Sequence, residues 1–188
     1  MAKMTGHWII ALGALLLGQA SLATDGCYET NANGGELGFS GVADGSPFSG
    51  EFEDFSVAVC LADGDLAGGE IRVQVATGSA TIGNSMGDQA LKDEELFHIE
   101  RFPQAVWISD RIVADGDGYR ADGELTLRGV TASQAVRLRM ETAPESLRLT
   151  GSAGILRLDY AVGLGEFEDT EFIANEVSLV FDLELQPR

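Results

Sequence analysis

Residues 177–185 have the sequence VSLVFDLEL, in which apolar side chains alternate with polar ones over most of the run. Alternation with a period of two is typical of a β-strand with one buried face. Turns that contain Asp and Gly, at residues 44–45, 63–65 and 115–118, separate this run from similar ones. The pattern predicts an antiparallel all-β fold. The apolar positions of the similar runs are Ile71, Val73 and Val75, then Leu125 and Leu127, then Val136, Leu138 and Met140.

One segment, residues 84–102, breaks the alternation. We expect a short helical excursion there, packed over an end or a side of the sheet, with Ser85 and Asp93 as candidate helix caps. About eight strands remain, and a sheet of that size avoids exposed edges by closing, so an up-and-down barrel is favoured over a sandwich. The apolar residues at helical spacing are Ala90, Leu91, Leu96, Phe97 and Ile99.

The interior of an eight-stranded barrel is either just filled by side chains or holds one small ligand. Small residues in or beside the strand runs bear on that choice. Each glycine among them is equally consistent with a bend or bulge of a strongly curved sheet. Together they favour a hollow interior. These residues are Gly38, Gly41, Ala105, Gly123, Gly151 and Ala153.

The charge of the chain limits its partners. Its 188 residues include 30 acidic and 12 basic side chains, which give a formal charge of −18. Such a chain is repelled by phosphate backbones and by anionic membrane surfaces. The length suits one domain with a core of ordinary size. We therefore exclude nucleic acid as a partner.

The N-terminus has the features of an export signal. Lys3 supplies a positive start, residues 8–17 form a short apolar run, and residues 21–23 offer small residues for cleavage. The apolar run is too short to span a bilayer. We expect a signal peptide at residues 1–23, one domain at residues 24–188, and a periplasmic or secreted protein.

Two cysteines, Cys27 and Cys60, are present. In an oxidising compartment such a pair favours a disulfide over two free thiols, and the sequence leaves both alternatives open. A bridge that closes a loop of this size stabilises a fold by roughly 3 to 4 kcal/mol in the chain-entropy model.

Several motifs, in order along the chain, resemble the YceI-like family of exported lipid-binding proteins. Residues 123–131 (GELTLRGVT), continued by residues 136–138 (VRL), are similar to its strand-turn motif. Residues 96–105 (LFHIERFPQA) resemble its helical excursion and the strand entry that follows. Residues 157–162 (RLDYAV) resemble its acidic-aromatic-small motif. Together these segments span most of the chain that follows the predicted signal.

The resemblance implies an eight-stranded antiparallel barrel, lipocalin-like in outline, whose apolar tunnel holds an isoprenoid lipid or an isoprenoid quinone. No other cofactor is implied. Inward positions are the expected ligand contacts, with Phe97 and Tyr160 near the entrance or its cover. The candidate ligand-binding residues are Phe39, Phe97, Trp107, Tyr119, Leu125, Leu138, Tyr160, Leu179 and Phe181.

Two positions depart from the family pattern. Gly34-Gly35 stands where relatives tend to carry a His-Ser pair, and Ala90-Leu91 stands where they tend to carry His-Leu. Two polar contacts for a head group are therefore missing. Together with the negative charge, this favours a neutral head such as a quinone over a pyrophosphate.

Metal and catalytic motifs are absent from the sequence. His98 is the one histidine outside the predicted signal, and Cys27 and Cys60 lack Cys-x-x-Cys spacing. Residues 115–118 begin like a calcium loop, but Arg120 stands where that loop needs glycine and Thr126 where it needs a bidentate acid. We expect no metal site and no catalytic residue.

Three functions follow from these observations. The first is a carrier or reservoir of an isoprenoid lipid. The second is an accessory of a membrane b-type cytochrome in a quinone redox system, which the family resemblance allows. The third is a small barrel enzyme of cyclase or isomerase type, which needs a buried carboxylate beside its substrate. Acidic clusters at residues 93–95 and 166–171 keep the third open.

Overall fold

The structure, a computed structural model, describes residues 26–188. The predicted signal peptide at residues 1–23 lies outside the described residues. The described part contains one antiparallel sheet and one short α-helix. The strands are β1 (Cys27–Asn31), β2 (Gly35–Ala43), β3 (Ser46–Phe52), β4 (Phe55–Ala62), β5 (Asp65–Ala76), β6 (Ala80–Thr81), β7 (Gln104–Asp115), β8 (Gly118–Leu127), β9 (Val130–Thr142), β10 (Leu147–Leu156) and β11 (Glu176–Pro187), and the helix is α1 (Ser85–Lys92).

Eight of these strands close into a barrel, as the sequence predicts. Their order is β1-β4-β5-β7-β8-β9-β10-β11, and β1 pairs with β11 to complete the ring. Closure leaves no free edge within the ring. The strands β2 and β3 extend the wall at one end, where β2 continues along β11 and β6 adds a short rung to β3.

The disulfide between Cys27 and Cys60 is formed, and the two residues lie directly opposite each other on β1 and β4. Their Cα atoms are 4.1 Å apart. The bridge ties the shortest strand of the ring to its neighbour. It therefore fixes the point at which the barrel closes.

The helical excursion is shorter than the apolar spacing predicted. The helix α1 ends at Lys92, and Leu96 and Ile99 lie in hydrogen-bonded turns beyond it. Asn84, rather than Ser85, caps the N-terminus, because its Oδ1 accepts a hydrogen bond from the backbone N–H of Gly87 at 2.8 Å. Asp93 is the C-cap of this helix. The helical spacing therefore continues into a segment that the backbone folds as tight turns.

The two ends of the barrel differ in construction. At one end, here called the hairpin end, short turns join β4 to β5, β7 to β8 and β9 to β10. At the other, the loop end, two long segments at residues 82–103 and 157–175 cross the barrel. Glu95 joins these segments, because its carbonyl accepts hydrogen bonds from the backbone N–H groups of Gly163 and Leu164.

Side chains fill the hairpin end completely. Five of its inward apolar side chains are inaccessible to solvent and belong to one continuous hydrophobic cluster. Close packing of this kind leaves no room for a ligand. The interior of the barrel is therefore a solid core at the hairpin end, and any open space lies towards the loop end. The residues with 0% exposure there are Val59, Leu66, Ala121, Leu147 and Leu185.

Candidate binding cavity

A cavity of ≈ 430 Å³ occupies the half of the barrel towards the loop end. Its volume falls within the range of small-molecule sites, roughly 300–1,000 Å³. Almost all atoms that face it are apolar. The ring strands other than β1 contribute to its wall, together with β2 and β3, and α1 and residues 167–173 form its mouth.

Four phenylalanines form one wall of the cavity. The ring centroids of Phe39 and Phe52 are 5.1 Å apart, and Phe52 lies 6.1 Å from Phe97 and Phe39 lies 6.4 Å from Phe48. Aromatic rings at such separations attract each other beyond their area of burial. Because Phe97 belongs to the segment that crosses the loop end, this cluster also holds that segment against β2 and β3.

The space beside the interior glycines is occupied by neighbouring groups. This differs from the expectation that these glycines would leave the interior hollow. A Cβ at Gly151 would lie 2.4 Å from Cζ of Phe181, and one at Gly41 would lie 2.8 Å from Cζ of Phe48. A Cβ at Gly123 would lie 2.2 Å from the carbonyl oxygen of Ile108. Neighbouring rings and backbone therefore occupy the space that these glycines offer.

Ala105 and Ala153, unlike these glycines, agree with the expectation that small residues favour a hollow interior. Ala105 on β7 and Ala153 on β10 both line the cavity. The methyl group of alanine is the shortest side chain that these wall positions can carry, apart from glycine, so both residues leave the cavity wide. The width of the bore at this level therefore depends on these short side chains.

Trp107 crosses the interior from β7 towards β9. Its indole Nε1–H donates a hydrogen bond to the carbonyl oxygen of Gln134 at 3.0 Å. The β9–β10 ladder ends at the pair Arg137 and Ser152, so β10 does not pair with β9 at Gln134. The Gln134 side chain bridges the two strands by donating to the carbonyl of Gly154 at 3.0 Å. The polar atom of Trp107 is therefore satisfied, and the ring offers an apolar surface to the cavity.

A buried arginine supports the mouth. Arg157 is 4% exposed and follows β10. Its guanidinium donates to backbone carbonyls only, and burial lowers its pKa from the ordinary value. Those carbonyls belong to both arms of the segment at residues 157–175, so the side chain holds that segment together. The acceptors are the carbonyls of Val162 at 2.9 Å, Gly163 at 3.1 Å, Ile173 at 2.7 Å and Ala174 at 3.1 Å.

The rim of the mouth is acidic. Asp93, Glu94 and Glu95 are exposed on one crossing segment, and Glu166, Glu168, Asp169 and Glu171 are exposed on the other. Arg128 joins the two segments, because its guanidinium donates to the carbonyls of Glu94 and Ala161. In the part of the chain that the structure describes, no Asp, Glu or His side chain lines the cavity.

Seven of the nine residues predicted to contact a ligand line this cavity. They are Phe39, Phe97, Trp107, Leu125, Leu138, Leu179 and Phe181.

Tyr119 and Tyr160 do not line it. Tyr119 packs at the hairpin end, where its hydroxyl donates to Oδ1 of Asp65 at 2.7 Å. This hydrogen bond raises the pKa of Tyr119, while the pKa of Asp65 is lowered mainly by the backbone N–H of Ala67 and secondly by Tyr119. Tyr160 is 2% exposed and belongs to the hydrophobic cluster. The resemblance placed Tyr119 among the inward residues but did not show at which end of the barrel it lies.

Other lining residues were not identified from the sequence. Phe48, Phe52 and Ile173 line the cavity, as does Arg157. The phenylalanines had a visible signal, because residues 39–55 carry four of them in a short stretch. Arg157 had none, since its carbonyl acceptors lie up to 17 residues along the chain.

The two positions that depart from the family pattern lie in different places. Ala90 and Leu91 line the cavity at its mouth. Gly34 and Gly35 do not, and a Cβ on Gly35 would lie 2.1 Å from the carbonyl oxygen of Asp182. The backbone of this chain thus leaves no space for a side chain at Gly35.

Within residues 26–188, no three His, Cys, Asp or Glu side chains come together in a way that could hold a metal ion. Over the same residues, no helix has the length and apolar character needed to cross a membrane.

Comparison with known proteins identifies the family. The model of the YceI-like domain matches residues 28–185. A UPF0312 protein of Yersinia pestis (strain Pestoides F) is 33% identical over 82 residues, which are 44% of this chain and 43% of that protein. The chain thus matches less than half the length of the curated relatives.

Solved structures share the fold. The crystal structure of Burkholderia cenocepacia BcnA has a TM-score of 0.75 and 26% identity, and the match covers 80% of this chain and 95% of that one. The Campylobacter jejuni YCEI protein has a TM-score of 0.67 at 16% identity, over 76% of this chain and 86% of that one. A structure described as a polyisoprenoid binding domain from Saccharophagus degradans has a TM-score of 0.62 at 14% identity, over 88% of this chain and all of that one.

Proposed function

The chain belongs to the YceI-like family, and we propose that it is an exported binding protein that holds the hydrocarbon tail of an isoprenoid lipid or isoprenoid quinone in its barrel. The observation that carries this proposal is the cavity of ≈ 430 Å³ with almost no polar atom facing it. A hydrocarbon tail gains free energy in such a site, whereas a polar ligand loses its hydrogen bonds to water and finds no replacement. The description of the Saccharophagus degradans domain names the same ligand class for that protein.

The rim favours a neutral head group. A phosphate or pyrophosphate at the mouth would lie among the exposed acids of residues 93–95 and 166–171, which repel it. Arg157, the cation that lines the cavity, already donates to four carbonyls. A quinone ring carries no charge and meets no such repulsion. We therefore favour a quinone over a polyprenyl phosphate.

The disulfide supports export. Structural disulfides persist in oxidising compartments and are rare in the cytosol. The bond between Cys27 and Cys60 fixes the strand at which the barrel closes. A periplasmic or secreted location is thus part of the proposal, in agreement with the export signal seen in the sequence.

Organic extraction of the purified protein, followed by lipid mass spectrometry, tests the ligand. We expect a neutral isoprenoid at a stoichiometry near one per chain. A polyprenyl phosphate in its place would overturn the neutral head group, and absence of any lipid, combined with no uptake of added quinone, would overturn the binding function.

Two glutamate variants on β9 supply the control. Val136 lines the cavity, and its neighbour Ala135 is exposed on the outer face. Val136→Glu places a charge in the cavity and is expected to abolish lipid recovery, because an unpaired carboxylate costs several kcal/mol when a tail removes its water. Ala135→Glu adds the same charge outside and is expected to leave recovery unchanged.

A further inference from the structure

The floor of the cavity lies at one level on several strands. On β10, Leu149 lines the cavity and Leu147, the next inward residue, does not. On β11 the same boundary separates Leu183 from Leu185. It also separates Val57 from Val59 on β4. The cavity therefore ends on a continuous layer of side chains.

The layer beneath this floor is solid. Leu147, Leu185 and Val59 have 0% exposure, and Leu66 joins them from β5. The hydrogen bond from Tyr119 to Asp65 and the disulfide lie at the same end. None of the four buried residues lines the cavity. A tail that enters at the mouth must therefore stop at the floor.

We propose that Leu149 and Leu183 act as a ruler that sets the longest hydrocarbon tail the barrel can fully bury. Leu149 and Leu183 are cross-strand partners on β10 and β11 and lie side by side on the floor. The proposal rests on the function proposed above. Each methylene that enters the cavity tightens binding about fourfold, whereas each one beyond the capacity of the bore stays in water and adds little.

The spacing of the layers gives the expected step. Successive inward residues on a strand are two apart, about 6.6 Å along the strand and ~5 Å along the axis of a tilted barrel. Truncating Leu149 to alanine opens space towards the next layer. An extended chain places about four carbons in ~5 Å, but the substitution removes three carbons, so the longest fully buried tail is expected to grow by up to about three carbons.

The experiment measures affinity against tail length. A series of benzoquinones that share one head and carry n-alkyl tails of increasing length is titrated by calorimetry into the lipid-free protein. For the wild type, Kd is expected to fall about fourfold per carbon up to a break and then to level off. Leu149→Ala is expected to move the break to longer tails, and Leu149→Phe, which raises the floor, to move it to shorter ones.

Leu147→Ala is the matched control. It removes the same atoms from the same strand, one layer deeper. Leu147 is fully buried and does not line the cavity. Its break is expected to stay at the wild-type length.

The outcomes separate the ruler from the function on which it rests. Equal shifts in Leu147→Ala and Leu149→Ala, or a wild-type series without a break, would overturn the ruler and leave the binding function intact. Failure of the wild type to bind any tail would overturn the binding function. Because Leu149→Phe removes no core volume, it decides the direction of the effect even if Leu149→Ala does not fold.

Discussion

Substitution of Ala153 by phenylalanine distinguishes a binding cavity from a packing defect. The two assignments predict changes of opposite sign in the free energy of unfolding. Ala153 lines the cavity on β10, opposite Leu179. The ring adds six carbons to the interior. Because the bore has ≈ 430 Å³ of space, we expect them to bury apolar surface without displacing neighbours.

The magnitudes follow from burial. A fully buried phenylalanine contributes ~1.5–3 kcal/mol relative to an exposed one, and overpacking costs a similar amount only where no space exists. We therefore expect the free energy of unfolding of lipid-free Ala153→Phe to rise by ~1–2 kcal/mol. A ligand tail excluded from that space loses the burial of three or more carbons, ~2.4 kcal/mol, so its Kd should rise by at least about 50-fold.

Urea unfolding monitored by circular dichroism gives the free energy of unfolding, and calorimetric titration with a long-tailed quinone gives the affinity. Ser152→Phe, one residue away on the exposed outer face, is the control and should change neither quantity by much. A variant Ala153→Phe that loses more than ~1 kcal/mol of stability while it binds the quinone as the wild type does would refute the assignment of this cavity as the binding site.

Three further outcomes are expected. Replacing Cys27 and Cys60 by alanine should lower the free energy of unfolding by ~3–4 kcal/mol in the chain-entropy model, since the bond closes a loop with a sequence separation of 33; equal urea midpoints for variant and wild type would contradict this. Arg157→Met should cost ~3–5 kcal/mol, because four carbonyls lose their donor, and limited proteolysis should then cut within residues 157–175; unchanged protease resistance would argue against that role. The lowered pKa of Asp65 contributes stability that is present above the ordinary value of 3.8 and is lost as pH falls through the lowered pKa. Tyr119→Phe should therefore weaken, without abolishing, the pH dependence of the urea midpoint in that acid range, since the backbone N–H of Ala67 remains; an unchanged dependence would show that Tyr119 does not hold Asp65.

The strands could be predicted from the sequence, because successive side chains of a strand point to opposite faces of the sheet and only one face is buried. Residues 177–185 lie within β11, and Leu179, Leu183 and Leu185 do face the interior there. The helix is predicted less well. Apolar residues continue at helical spacing past Lys92, but the chain turns at Asp93 and reaches a positive φ at His98. Spacing alone does not reveal where a helix yields to turns that pack the same residues against the barrel.

The candidate site could be predicted in part. An inward residue on a strand is recognised from its alternation, so Leu138 and Phe181 were identified. Their position along the barrel axis was not predicted. Tyr119 shows the consequence, since it faces inward at the filled end. The position of a residue along the axis depends on strand stagger, which is set by how all eight strands pair.

The sequence by itself determined the fold class, because a period of two buries one face of each strand, and a sheet of about eight such strands avoids exposed edges by closing. The tertiary structure decided where the barrel is full and where it is hollow. That outcome depends on the register between strands, which sets the ring of Phe181 over Gly151 and places Ala153 opposite Leu179 in the wall of the cavity. Register joins residues that are far apart in the chain, so no local pattern contains it.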